Sequence, residues 1–366
     1  MNQSSFFSGF TILELSSVLA GPAVGTFFAE LGAKVIKVEN AKTGGDITRK
    51  WKLGGEPTEQ LYSAYFCAVN WGKESILLDL NQPDDRSIVY AILTEVDIVI
   101  SNFHQDAAKK LGMDFQTLLS HKSNLIIGHI SGYGIEDPTP AFDVVLQAET
   151  GYLYMTGEPG RLPVKMPVAL IDVLAAHQLK EGLLIALINL AKTGKGSIVS
   201  TSLFDAAIAS LVNQATNWLE VGHIPQPMGT KHPNIAPYGD MVNTKDGELI
   251  VLACGTDKHF KHLCIQLNAP ELVVDPRFAT NVSRINNRKA LMEILQSIFA
   301  ELEFVDIHSQ LKAAGIPCGS VRQMNEVFEV DLAKNMILEE DMPDGKRTRR
   351  VRTAAFKIKT LDFDKN

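Results

Sequence analysis

Asp172 stands at the seam between V168-A-L-I-D-V173 and a long apolar run that ends at Ala191. From Val173 to Ala191 the run holds one Gly and no Pro, so it reads as a largely buried helix, stopped by Thr193-Gly194 after Lys192. An aspartate at a helix entrance meets free backbone N–H groups and the positive end of the macrodipole, which favour its ionised form. Two readings follow. Asp172 is an N-cap, or it is a carboxylate held ionised in a pocket as a nucleophile toward an activated acyl group. The other carboxylates have plainer readings. Asp205 in S-L-F-D caps a helix, and Asp46 with Arg49 in G-D-I-T-R fixes a loop. Glu39 ends a strand, at the tip where a doubly wound sheet meets its ligand. His129 and His177 read as satisfied structural histidines. His259 and His262 lie three apart on one predicted helix with no third ligand at hand, so no metal site is expected.

The elements that must position these groups alternate strand and helix. T-I-L-E-L, K-V-I-K-V-E, S-I-L-L-D-L, V-D-I-V-I-S and L-I-I-G-H-I-S are strand-like, with helical patterns between several of them. Strands separated by helices predict an α/β, Rossmann-like, doubly wound sheet covered on both faces. The first turn, S-V-L-A-G-P-A-V-G, lacks G-x-G-x-x-G and the phosphate loop, which disfavours a dinucleotide cofactor and a hydride-transferring dehydrogenase. S-I-V-S-T-S-L follows as another strand and Phe204–Gly222 as a helix. The Pro-, Gly- and His-rich segment from Gly222 to Tyr238 then marks a domain boundary. A large domain over 1–222 and 328–366 and a linker with a smaller α+β domain over 223–327 are expected.

Apolar residues make up 45% and charged residues 21% of the 366, enough for a substantial core in two domains. A net charge of −7 argues against broad nucleic-acid or anionic-membrane binding. The basic run K346-R-T-R-R-V-R352 reads as an exposed hairpin. Cys67, Cys254, Cys264 and Cys318 form no C-x-x-C pair and read as reduced, mostly buried thiols. With no secretory start and no apolar run near the ~20 residues of a membrane helix, a soluble, cytoplasmic protein is expected.

With those residues in view, the chain resembles the class III (family III) CoA-transferases over nearly its whole length. The matching stretches include L15-S-S-V-L-A-G-P22, L31-G-A-K-V-I-K-V-E39, G45-D-I-T-R49, K73-E-S-I-L-L-D79 and D97-I-V-I-S-N-F103. G194-K-G-S-I-V-S-T-S-L-F-D205, H232-P-N-I-A-P-Y238, D275-P-R-F278 and A314-G-I-P-C-G319 follow in order. The resemblance implies a homodimer of interlocked rings, with a large Rossmann-like domain built from both chain termini. It implies that Asp172 attacks an acyl-CoA thioester, forms a mixed anhydride, and then activates a carboxylic acid through an aspartyl-CoA thioester. CoA and acyl-CoA enter as substrates, with a small carboxylic acid as acceptor and no tightly bound cofactor. Oxyanion donors are expected from Pro- and Gly-bearing loops such as Gly229–Tyr238. The matched CoA positions are Val18, Leu19 and Ala20, then Asn40, Leu78 to Asn81, Asn102, Phe103, His104, Lys110, Leu111, and Pro140 to Asp143.

The chain departs from the family pattern at several of these. Asn40 and Asn81 stand where some members place Arg and Lys, and phosphate contacts through Asn lack charge assistance. Leu19 stands where formyl-CoA transferases have Gln, which disfavours oxalate as acceptor. The rival α-methylacyl-CoA racemase branch needs a second acid/base group where this chain has Phe142. A non-catalytic CoA-binding protein is the third reading. Members usually continue past Ala355–Lys357 into P-x-L-G-[EQ]-H-T and a final helix. This sequence stops at Asn366 before that stretch; the two readings are a truncation and a divergent subgroup, either of which would remove a piece of the large domain.

Overall fold

The computed structural model describes residues 6–359; the extreme start and tail considered above lie outside them. The chain divides into two compact units. One comprises the chain up to Leu153, Lys165–Ile224 and the chain from Lys334; the other comprises Tyr154–Val164 and Pro225–Ala333. In the first unit β1 (Thr11–Leu15), β2 (Lys34–Asn40), β3 (Lys73–Leu78), β4 (Ile98–Ser101), β5 (Ile126–Ser131) and β6 (Ser197–Ser202) form one parallel sheet. Their order is β3-β2-β1-β4-β5-β6. The helices of this stretch of chain are α1 (Ala20–Glu30), α2 (Ala64–Val69), α3 (Pro83–Leu93), α4 (Gln105–Leu111) and α5 (Phe115–His121). After them come α6 (Asp143–Glu149), α7 (Tyr152–Met155), α8 (Leu170–Thr193), α9 (Leu203–Ala209) and α10 (Asn213–Val221).

The two-residue period of a strand explains why both faces are covered. Ile12, Ile98 and Ile126 enter one core with α1 and α8, while their neighbours Leu13, Val99 and Ile127 enter a second with α3 and α5. β1 is flanked by β2 on one side and β4 on the other, so strand order reverses at its C-terminal end. Such a switch point leaves a crevice outside the carboxyl ends of the strands.

One charge set interrupts this apolar interior. Glu14 of β1 bridges Lys37 of β2 (2.8 Å) and Lys73 of β3 (2.7 Å), and Lys37 also pairs with Asp46 (3.1 Å). Burial alone would lower Lys37, but Glu14 and Asp46 together hold it above the usual lysine value. Gly25 of α1 passes directly over Glu14, and any Cβ there would collide with the Glu14 carboxylate. That close approach explains a glycine inside a helix rather than in the preceding turn.

Three expectations change here. Helix α8 is apolar all round but buries only one side: Ala175, Leu179 and Leu183 are fully buried, whereas Ile185 and Ile188 are 68% and 56% exposed. The basic run does form a hairpin, β10 (Ile337–Asp341) with β11 (Arg347–Val351). Within it Arg350 is buried against Glu30 of α1, whose carboxylate also accepts the N–H groups of Thr353 (2.9 Å) and Ala354 (2.8 Å). The domain boundaries move as well, because 154–164 groups with the second unit. There Gly229 N–H donates to Gly157 O (2.7 Å) and the Tyr154 hydroxyl meets Gln226 (3.0 Å).

The second unit is an antiparallel sheet ordered β7-β8-β9 (Tyr238–Asn243, Leu249–Ala253, Cys318–Ser320). Helices α11 (Asp257–Gln266), α12 (Asn281–Asn286), α13 (Arg288–Phe299) and α14 (Phe304–Ala313) accompany it, and Gly229–Tyr238 belongs to this unit. Cys254 and Cys264 are buried in its core, and burial pushes both thiols up to about 12, which keeps them unreactive.

Candidate active site

Two cavities open beyond the strand ends of the first unit, and Ser17 and Phe103 line both. Asn40, Leu78, Asn81 and Leu111 line the first, of about 280 Å³. Val18, Leu19, Ala20, Asn102, His104, Pro140 and Asp172 line the second, of about 240 Å³. The site residues expected from sequence are therefore brought together, apart from Lys110 and Asp143, which line neither cavity.

The wall between the cavities is built at the switch point. Ser17 N–H donates to Asn102 Oδ1 (3.2 Å), and Asn102 Nδ2 donates back to Ser17 O (3.0 Å). Val18 N–H donates to Asp46 Oδ2 (3.3 Å). Between these ties Val18 is held at φ +73°, a left-handed conformation that costs a β-branched residue about 1–3 kcal/mol. Asn102 is thus spent on fixing the loop, and Asp46 is anchored below by Lys37. Arg49 does not pair with Asp46 as expected; its Nε and Nη2 clasp Glu39 at 2.7 and 2.6 Å. Burial opposes ionisation of Glu39, but Arg49 and the Asp46 N–H outweigh it and hold the carboxyl down at about 2. Asn40 and Asn81 are both turned onto their own loops. Asn40 Oδ1 accepts the Lys42 N–H (3.0 Å) and Asn81 Nδ2 donates to Asp79 (2.8 Å).

Helix α8 begins at Leu170, with Ala169 as N-cap and no side-chain cap of its own, so Asp172 is the third helical residue and not the cap. The capping bond comes from α6. Asp143 Oδ1 accepts the Ile171 N–H (2.7 Å), and its Oδ2 accepts from Gln147 (2.6 Å). Gln147 in turn accepts the Met166 N–H (2.9 Å), which fixes the approach to the helix. Asp143 therefore holds the helix entrance instead of lining the cavity. No hydrogen bond or ion pair among the described residues engages the Asp172 carboxylate, which is 8% exposed. Burial first, and then the Asp143 charge, push its carboxyl up to about 7. Burial and the like charge of Asp143 thus oppose the ionised form that the helix entrance was expected to favour.

Two features around Asp172 escaped the sequence reading. His129 of β5 is 2% exposed and lines the Asp172 cavity with Nδ1 unpartnered, so it is not a satisfied structural histidine. Burial, then Asp172, Asp143 and Asp46, push the Tyr65 phenol up to about 12, which places Tyr65 in the field of the nucleophile candidate. Nothing in its local sequence, S-A-Y-F-C, marks it. Phe142 lines the same cavity as Asp172, at the place where a racemase would need a base. No group of three or more metal-ligating side chains exists among the described residues, and no helix among them is long and apolar enough to cross a membrane.

The sequence profile of CoA-transferase family III matches residues 7–364. The chain is similar to the succinate–glutarate CoA-transferase of Agrobacterium fabrum, with 34% identity over 98% of this chain and 91% of that protein. It is also similar to the acetyl-CoA:oxalate CoA-transferase of Acetobacter aceti, with 32% identity over 91% of this chain and 85% of that protein. A CAIB/BAIF family protein from Brucella suis superposes with a TM-score of 0.84 at 36% identity, covering 98% of this chain and 94% of that one.

The raised Asp172 carboxyl has a thermodynamic consequence with a definite sign. A carboxyl moved from 3.8 up to about 7 makes the folded state bind its proton more tightly than the unfolded chain does. That contribution is fully present below pH ~4 and is lost as pH rises to about 7, by up to about 4 kcal/mol. Asp172→Asn is therefore expected to unfold at higher denaturant than wild type at pH 8, with the gap closing by pH 4. A gap that stays the same at both pH values contradicts the assignment.

Proposed function

The chain belongs to CoA-transferase family III, and from that premise we propose that it moves CoA from an acyl-CoA donor to a free carboxylic acid, with Asp172 as the covalent nucleophile. The observation that carries this reading is the one unspent carboxylate at the wall of the second cavity, buried on a helix whose entrance Asp143 already caps. A carboxyl near 7 is ionised in about half the molecules at neutral pH and lies close to the range that favours a working group.

The steps balance without an added cofactor. An Asp172 oxygen attacks the thioester carbonyl and expels CoA thiolate, leaving an acyl-aspartyl anhydride. The thiolate attacks the aspartyl carbonyl, forming an aspartyl-CoA thioester and releasing the donor carboxylate. The acceptor carboxylate attacks that thioester and regenerates thiolate and a new anhydride. Attack of thiolate on the new acyl carbonyl gives product acyl-CoA and frees Asp172. Rigid positioning of the reacting groups supplies much of the rate, which explains a fixed Val18 loop and a clamped α8. A racemase reading is weakened by Phe142 in the cavity, where that branch needs its second acid/base group.

The acceptor is best sought among dicarboxylic acids, the class named in the relatives above. Leu19, on the cavity wall, supports acceptors other than oxalate. We also assign the exposed apolar faces of α8 (Ile185, Ile188) and α10 (Trp218, Leu219, Val221) to contact with a second copy of the chain. Exposed large apolar side chains on two helices are the kind of surface that an interface covers. Sedimentation at micromolar protein is expected to show a dimer; a monomer throughout the range contradicts that assignment.

Incubation with succinyl-CoA or acetyl-CoA, without acceptor, followed by hydroxylamine is expected to leave a hydroxamate on the Asp172 peptide in a mass spectrum. Asp172→Asn is expected to lose that mark and at least ~10³-fold in kcat for glutarate, mesaconate or oxalate as acceptor. An unmodified Asp172 with CoA still bound sinks the proposal.

A further inference from the structure

Gln147 lines neither cavity, yet it is completely buried and ties three stretches of chain together. Its Nε2 donates to Asp143 Oδ2 one turn earlier in α6 (2.6 Å). Its Oε1 accepts the N–H of Met166 (2.9 Å), in the segment that leads into α8. Through Asp143, whose other oxygen accepts the Ile171 N–H (2.7 Å), the same amide reaches α8 itself. The partners fix the orientation of the amide. A backbone N–H can only donate and a carboxylate oxygen accepts, so the amide oxygen faces Met166 and the nitrogen faces Asp143.

A side chain at this place must therefore offer one acceptor and one donor at once. Glutamate keeps the acceptor and loses the donor; leucine loses both. Met166 and Val168 are exposed, and the N-cap Ala169 makes no side-chain bond, so the tie at Met166 does much to anchor the segment.

Asp172 depends on this arrangement through its place in the helix. As the third helical residue it stands where an acidic side chain can reach back to the backbone N–H of the N-cap. A carboxylate turned back in that way would be spent on its own helix and drawn off the cavity wall. Asp143, held against the helix start by Gln147, puts a like charge there and opposes that turn.

We propose that Gln147 is a positioning residue for the transfer: it holds Asp143 and Met166 so that the Asp172 carboxylate stays turned to the cavity. The proposal rests on the reading of Asp172 as nucleophile and extends it to a residue that touches no substrate.

A single turnover with succinyl-CoA or acetyl-CoA and no acceptor, quenched and trapped with hydroxylamine, reads the rate at which Asp172 is acylated. Calorimetry reads CoA affinity beside it. At saturating acyl-CoA and pH 8, Gln147→Glu is expected to slow acylation about tenfold or more, with CoA affinity within about twofold of wild type. The double variant Asp143→Asn with Gln147→Glu exchanges donor and acceptor. The asparagine oxygen takes the Ile171 N–H, its nitrogen donates to the new carboxylate, and that carboxylate's second oxygen takes the Met166 N–H. Most of the rate is expected to return. An unchanged rate in Gln147→Glu overturns the proposal while Asp172 keeps its role. So does a rate that recovers on raising the pH to 9, which marks a change in proton affinity and not in position. A loss that the double variant fails to recover, or that brings an equal loss of CoA affinity, is a general disruption and also overturns it. A wild-type protein that gives no hydroxamate on Asp172 with either acyl-CoA overturns both readings.

Discussion

The hydrogen bond from Ile171 N–H to Asp143 is the contact on which the proposed chemistry depends. A helix start must satisfy its first N–H groups, and an aspartate in the first turn would ordinarily be drawn into that task. Here a carboxylate from α6 does it, so Asp172 is free. The same Asp143 charge, added to burial, raises the Asp172 carboxyl. One residue outside the cavity therefore holds the helix that carries Asp172 and adds to the proton affinity that burial has already raised.

The rest of the site is held by ties across the strand-order reversal. The Ser17–Asn102 pair of hydrogen bonds joins the segments after β1 and β4, and Asp46 pins Val18 from the third side. Asp46 is in turn fixed by Lys37, which shares Glu14 with Lys73. A buried ion set is weak evidence for net stability, since desolvation costs about as much as attraction returns. Its visible effect is placement: three neighbouring strands are pinned beneath the loop that walls both cavities. Removing one partner would leave a buried charge uncompensated and loosen that loop.

The sheet was legible because strands buried on both faces read as short apolar runs separated by helical spacing. Asp172 was legible because a charged residue opening an otherwise apolar helix is conspicuous, and the family resemblance gave it a role. Its protonation was not legible. Local sequence shows the helix dipole but not the burial or the Asp143 charge, 29 residues earlier in the chain, that raise the carboxyl. The Glu39–Arg49 clasp was missed for a similar reason, since G-D-I-T-R presents Asp46 as the nearer partner. Asn40, Asn81 and Asn102, expected as CoA contacts, line the cavities, yet their side chains are turned onto backbone or neighbouring loop groups. His129 shows the limit most plainly: only the fold reveals that a histidine inside L-I-I-G-H-I-S lies at a cavity wall and keeps a buried, unpaired ring nitrogen.

The central claim is that the Asp172 oxygens take part in the transfer and are exchanged with those of the acceptor. It is tested most directly by turning over a small molar excess of an acceptor acid whose carboxylate carries heavy oxygen, then weighing the Asp172 peptide. Attack of that carboxylate on an aspartyl thioester, followed by release, leaves a heavy oxygen on Asp172, so a heavier peptide is the predicted result. A peptide of unchanged mass after many turnovers, with product acyl-CoA formed, would contradict the account.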